Sequence, residues 1–117
     1  MKGKVNNMIF NKKIKKEFYE ELKSKYFHMR VDTHTLRSYS QVIKDVSLKI
    51  NTSALLGRSE FIHDSYTEVF YKAKFLGVKK LDLDEIQSLI KHTEDTHFEI
   101  KKEIEKYLNM ISGKDDE

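Results

Sequence analysis

Arg58 and His63, which open and close the stretch "RSEFIH", come nearest in type and spacing to a chemical site. Cleaving RNA without a metal needs a group to take the 2′-hydroxyl proton and a group to protonate the leaving oxygen. It also needs a fixed cation for the charge that gathers on phosphorus. Imidazole carries protons near neutral pH. A guanidinium stays charged and matches phosphate oxygens with a planar fork. A helix N-terminus at this point would add free N–H groups and a favourable dipole. Five residues apart on one helix, the two side chains diverge by about 140° at 100° per residue. One copy is therefore incomplete, and two copies meeting at a dimer axis would supply the missing partner. The plain alternative is that Arg58 caps a helix or pairs with an acid, while His63 is a partly exposed helical residue.

Other chemistry-bearing residues are sparser. Glu60 with His63, and Glu94 with His97, share the Glu-x-x-His spacing of di-iron bundles. Such a site also needs an inward Glu from each of two further helices, and the second expected helix offers only Asp45, so no metal or other cofactor is expected. His97 then reads as a polar seam residue, bonded to Thr93 or across an interface. His28, His34 and His92 form no ligand pattern and should face solvent. Phe70, Tyr71 and Phe75 interleave with Lys72 and Lys74, as a base-stacking platform would, although core packing is the simpler account. No glycine-rich phosphate loop or nucleophile elbow is present.

The elements that must position these residues read as helices. The chain has 117 residues, enough for one domain, with 38% apolar and 35% charged residues. Absence of Pro and only four Gly favour long helices, and absence of Cys excludes disulfides and thiolate sites. No apolar run reaches the ~20 residues of a membrane span, and "VNNMIF" is too short and polar for a signal sequence, so a cytoplasmic location is expected. Apolar spacing predicts helices over about 12–30, 33–50, 59–76 and 84–111, with residues 113–117 frayed. Asn11, and then Asp32 or Thr33, are the expected N-caps; Gly77 is the expected stop, and Asp84 should favour the last N-terminus. "RVDT" and "NTSALLG" read as interruptions. The fold class is thus all-α, a four-helix bundle with a long C-terminal helix of about 40 Å. Its surplus apolar stripe calls for "MIF" (8–10) or a second copy, which implies a homodimer. Net charge is +3, concentrated near the N-terminus, where Lys12, Lys13, Lys15 and Lys16 are candidates for guiding a nucleic acid.

Arg58, four residues and His63, set in a helical domain of this size, resemble the Arg-x4-6-His motif of the HEPN superfamily of ribonucleases and toxins. "KLDLDEIQSLIKHTEDTHFEI" is similar to the last helix of such domains, and the outline covers roughly residues 33–111. Ser59 stands where the family often has Asn or Asp. Ser65 stands where many toxin members have Tyr, with Tyr66 one position later. The resemblance implies a metal-independent endoribonuclease, a toxin or phage-defence component. His63 would be its general acid or base, Arg58 would hold the scissile phosphate, and the partners would be RNA, a second copy and a cognate antitoxin or target. Another class of reading is a non-catalytic helical protein that binds a protein or nucleic acid, as plasmid- or phage-encoded accessory proteins do. A third takes "YFHMRVD" as the strand of a ribbon–helix–helix DNA-binding dimer.

Overall fold

The computed structural model describes the backbone of residues 2–113 and the side chains of residues 12–113. Among the described residues three helices, not four, make up the bundle: α1 (Lys2–Val42), α2 (Val46–Leu76) and α3 (Leu83–Ser112). A short 3₁₀ turn, Val78–Lys80, joins the last two. The stretch that the ribbon–helix–helix alternative takes as a strand, residues 26–32, lies inside α1, so the strand that such a dimer requires is not formed there. At 41 residues, α1 is the longest helix, and α3 with 30 is no longer than α2 with 31. The expected surplus of the last helix disappears, because α1 runs beside it. The side chains of Met8, Ile9 and Phe10 lie outside the described residues.

Both expected interruptions are continuous helix. "RVDT" has no Gly or Pro, and its polar side chains find partners that leave the helix intact. Thr33 donates from Oγ1 to the Met29 carbonyl at 2.7 Å and meets Ser59 Oγ at 3.0 Å. Asp32 reaches His97 Nε2 at 2.6 Å instead of capping a helix. In "NTSALLG", Thr52 is buried and shares a 2.9 Å hydrogen bond with the Tyr107 hydroxyl. The first true break falls at Ile43–Asp45, within the expected second helix. Asp45 adopts extended dihedrals (φ −84°, ψ 124°), and its carboxylate accepts from Leu48 N at 3.0 Å. Gly77 ends α2 as expected, at φ 90°. Asp82, two residues before Asp84, caps α3 by accepting from Asp84 N at 2.9 Å; Asp84 and Glu85 sit in the first turn, where the helix dipole favours acids.

Buried seam residues fall three, four or seven apart along every helix. They are Tyr19, Leu22, Met29, Thr33 and Leu36 in α1, and Leu48, Thr52, Leu55, Ser59, Ile62 and Val69 in α2. In α3 they are Ile86, Ile90, Thr93, Ile100 and Tyr107. This is the knobs-into-holes pattern of a coiled-coil bundle. Lys25 with Glu94 at 3.0 Å, and Tyr39 with Tyr107 at 6.3 Å between ring centres, set α1 and α3 parallel in one register. Arg30 with Glu60 and Thr52 with Tyr107 set α2 antiparallel to both. The result is an extended body of 69 × 25 × 16 Å. Val46, Ile50, Leu76 and Ile111 are 60–74% exposed. Val46 and Ile50 fall on the far side of α2 once its seam is read through from Leu48 to Val69.

One buried charge is poorly served. Glu103 is 4% exposed; Oε1 meets Lys106 at 3.0 Å, but Oε2 has no partner among the described residues. A buried carboxylate with one satisfied oxygen costs desolvation that an apolar side chain would avoid. Glu103→Leu is therefore expected to raise stability by about 1 kcal/mol, read as a higher urea midpoint with unchanged slope. A lower midpoint would mean that the carboxylate contributes net stability.

Candidate functional site

Continuity of α2 decides where Arg58 and His63 point. The seam passes between them along Leu55, Ser59 and Ile62, so the two side chains leave the helix on opposite sides of the core. Arg58 turns towards α3, where its guanidinium reaches Thr96 Oγ1 at 3.5 Å. It lines an open groove of about 510 Å³ with Ala54, Gly57, Phe61, Ile62, His92 and Thr96. His63 turns towards α1 and is half-buried. Its Nδ1 is hydrogen-bonded to the Tyr26 hydroxyl. The Tyr26 ring stacks on Tyr66, with centres 3.9 Å apart. Within one chain the structure does not bring Arg58 and His63 together.

His63 instead shares the α1–α2 face with other charges. Glu60 Oε1 accepts from Arg30 at 3.0 Å and lies 3.5 Å from Arg37, while Arg30 also donates to Ser59 Oγ at 3.2 Å. The hydrogen bond from Arg30 holds the Glu60 carboxyl below its usual range. Partial burial opposes this, and the charges of Arg30, His63 and Arg37 reinforce it. Burial pushes the Tyr26 phenol above its usual range; Arg30 pulls it back and Glu60 pushes it further. Burial likewise raises Tyr66, with neighbouring Tyr19, Tyr26 and Glu20 adding. The Tyr26 hydroxyl shares its hydrogen bond with His63 Nδ1, the donor being set by the imidazole tautomer.

The Glu-x-x-His pairs are also committed elsewhere. Glu60 is held by two arginines, Glu94 by Lys25 at 3.0 Å, and His97 by Asp32. His97 is the expected polar seam residue, although its partner lies on α1 and not at Thr93. His28, His34 and His92 are exposed.

A second constellation forms at the end of the bundle where α1 passes the α2–α3 connection. Lys12, Lys13 and Lys16 are exposed; Lys15 is half-exposed and donates to the Lys79 carbonyl at 3.3 Å. That contact brings Lys79 and Lys80, both exposed, to the N-terminal lysines. The last turns of α2 add Tyr71, Lys74 and Phe75. Tyr71 is 51% exposed and Phe75 72%; their rings are nearly parallel (11°), with centres 6.0 Å apart. Lys74 lies over Phe75, 5.8 Å from its centre. Among the described residues, no ion pair involves Lys12, Lys13, Lys15, Lys16, Lys74, Lys79 or Lys80. Lys72, by contrast, meets Glu68 and Glu85. Asp82, Asp84 and Glu85 open α3 nearby and bound the basic surface on that side.

Four of these lysines stand out in the sequence as a cluster. Lys79 and Lys80 do not, because only the chain reversal places them there. Tyr71 and Phe75 are not packed in the core as the simpler account expects, because both fall opposite the Ile62–Val69 line of α2. Phe70, beside them in sequence, is half-buried against the core. Compared with known proteins, the chain matches no family model, no curated protein and no solved structure.

Proposed function

We propose that this chain is a non-catalytic helical protein that binds single-stranded nucleic acid at its basic end. The observation that carries the reading is the exposed Tyr71–Phe75 ring pair, with Lys74 over Phe75, at the end of the bundle where Lys15 meets Lys79. Lysines supply the phosphate term, which is sequence-independent and weakens with salt. Flat exposed rings supply faces on which unstacked bases can rest. A duplex hides its base faces, so the aromatic part of the surface favours a single strand. Lys12, Lys13, Lys15 and Lys16 would hold phosphates together with Lys79 and Lys80.

The test is fluorescence anisotropy with a labelled single-stranded RNA of about 12 nucleotides, a size within the range of such sites. With roughly six phosphates neutralised, log K should fall against log salt with a slope near −4. The matching duplex should bind more weakly. No binding, or binding indifferent to salt, would remove the proposal. RNA recovered from the same mixture is expected uncut.

One observation favours the HEPN-like ribonuclease as a second reading. Glu60, whose carboxylate feels the charge of His63, is held by Arg30 and Arg37 of α1, so guanidinium groups stand on the same face of the bundle as the imidazole. Cleavage in the same assay, lost in His63→Ala, would support that reading over the non-catalytic one.

A further inference from the structure

Buried apolar residues recur at intervals of seven along each helix. Leu22, Met29 and Leu36 do so in α1, and Leu48, Leu55, Ile62 and Val69 in α2. In α3 they are Ile86, Ile100 and Tyr107, with Thr93 filling the gap. Such a seam is degenerate. Sliding one helix past its neighbours by seven residues, about 10.5 Å, sets apolar side chains against apolar side chains again. The connection ahead of α3 can absorb a slide by unwinding the last turn of α2, where Phe75 and Leu76 are 72% and 60% exposed. Apolar packing by itself leaves the axial alignment of the helices open.

The middle of the bundle is different. Each helix contributes one buried hydroxyl there: Thr33, Ser59 and Thr96. Each pair of helices is also joined there by a polar contact. Thr33 Oγ1 and Ser59 Oγ lie 3.0 Å apart between α1 and α2. Asp32 Oδ2 and His97 Nε2 lie 2.6 Å apart between α1 and α3. Arg58 reaches Thr96 Oγ1 at 3.5 Å between α2 and α3. A slide breaks these contacts. Moving α3 by seven residues puts Ile90 or Ile104 where His97 stands, so the half-buried Asp32 carboxylate faces hydrocarbon in place of an imidazole. A carboxylate shielded from water and left without a donor is costly. Moving α2 by seven in one direction sets Tyr66 where Ser59 stands, a ring in the place of a small side chain.

We infer that this polar level is a register key, which holds the three helices in the one axial alignment that assembles the basic end. Lys15 meets the Lys79 carbonyl only in that alignment. A seven-residue slide of α2 would carry Lys79 and Lys80 about 10 Å along α1, away from their present neighbours. A key of this kind gives up stability against apolar packing and excludes competing alignments. The inference does not rest on nucleic-acid binding, and its test uses none.

Because the chain has no Cys, spin labels can be attached to Gln41→Cys in α1 and Gln87→Cys in α3, both exposed and away from the polar level. Double electron–electron resonance should give one separation, about 35 Å from the rise of the helices. The fourfold variant Asp32→Leu, His97→Leu, Thr33→Val and Ser59→Ala, carrying the same labels, should stay helical with an equal or higher urea midpoint. It should also show a second separation, displaced by about 10 Å. Exchanging the pair, Asp32→His with His97→Asp, should keep the single separation. A fourfold variant with full helicity and only the wild-type separation would overturn the inference. So would one that fails to fold, since the polar level would then hold the helices together and not align them.

Discussion

Tyr107→Ala is expected to cost about 4–6 kcal/mol and to leave the chain largely unfolded at room temperature. Tyr107 is fully buried where all three helices meet, near the C-terminal end of α3. Its ring lies 6.3 Å from that of Tyr39 on α1, and its hydroxyl is bonded to Thr52 on α2 at 2.9 Å. Removing the ring opens a cavity that rigid helices cannot close, a loss of about 3–5 kcal/mol for large aromatics. It also leaves the buried Thr52 hydroxyl without its partner, a further cost of about 1 kcal/mol or more. Tyr107→Phe separates the two contributions. It keeps the volume and loses only the hydrogen bond, so a drop of about 1–2 kcal/mol is expected. Urea unfolding followed by circular dichroism at 222 nm reads both. A loss under about 1 kcal/mol for Tyr107→Ala would mean that this end of α3 is not packed as described.

Replacing Tyr71 and Phe75 together by Ala is expected to weaken single-strand binding by about 100-fold or more. Each stacked base is worth roughly 1–3 kcal/mol on alanine substitution, and each 1.4 kcal/mol is tenfold. Both rings are more than half exposed, so their loss should leave the urea midpoint nearly unchanged. The salt slope should also stay, because no phosphate contact is removed. Lys79→Glu with Lys80→Glu should do the converse, lowering affinity and flattening the slope. Phe98→Ala serves as the control, since this ring is 59% exposed but sits in mid-α3, away from the basic end. If Phe98→Ala and the Tyr71/Phe75 pair weaken binding equally, stacking at the basic end is not what holds the strand.

These contrasts depend on residues whose roles were unequally visible in the amino-acid sequence. Leu22, Met29, Ile62, Val69, Ile86, Ile90, Ile100 and Tyr107 read as inward from spacing alone, and all are buried. The helical class and the stop at Gly77 were legible in the same way. Apolar periodicity and a residue able to take positive φ are local properties, and the chain displays them without knowing its neighbours.

What only tertiary structure decided follows from side chains whose role depends on a partner far along the chain. Thr33, Thr52 and Ser59 are buried seam positions, but as hydroxyl residues they read as breaks. Thr33 satisfies its hydroxyl on Met29 and Ser59, and Thr52 on Tyr107, so the seam passes through them and two expected helix pairs fuse. Asp32 looks like a cap until His97, 65 residues away, takes its carboxylate. Fusing the helices fixed the phase of α2, and that phase sent Arg58 towards α3 and His63 towards Tyr26. Chain reversal then carried Lys79 and Lys80 to the N-terminal lysines. Periodicity reports which residues can share a face; which polar groups can be buried on it is set by hydrogen bonds that exist only once the helices have met.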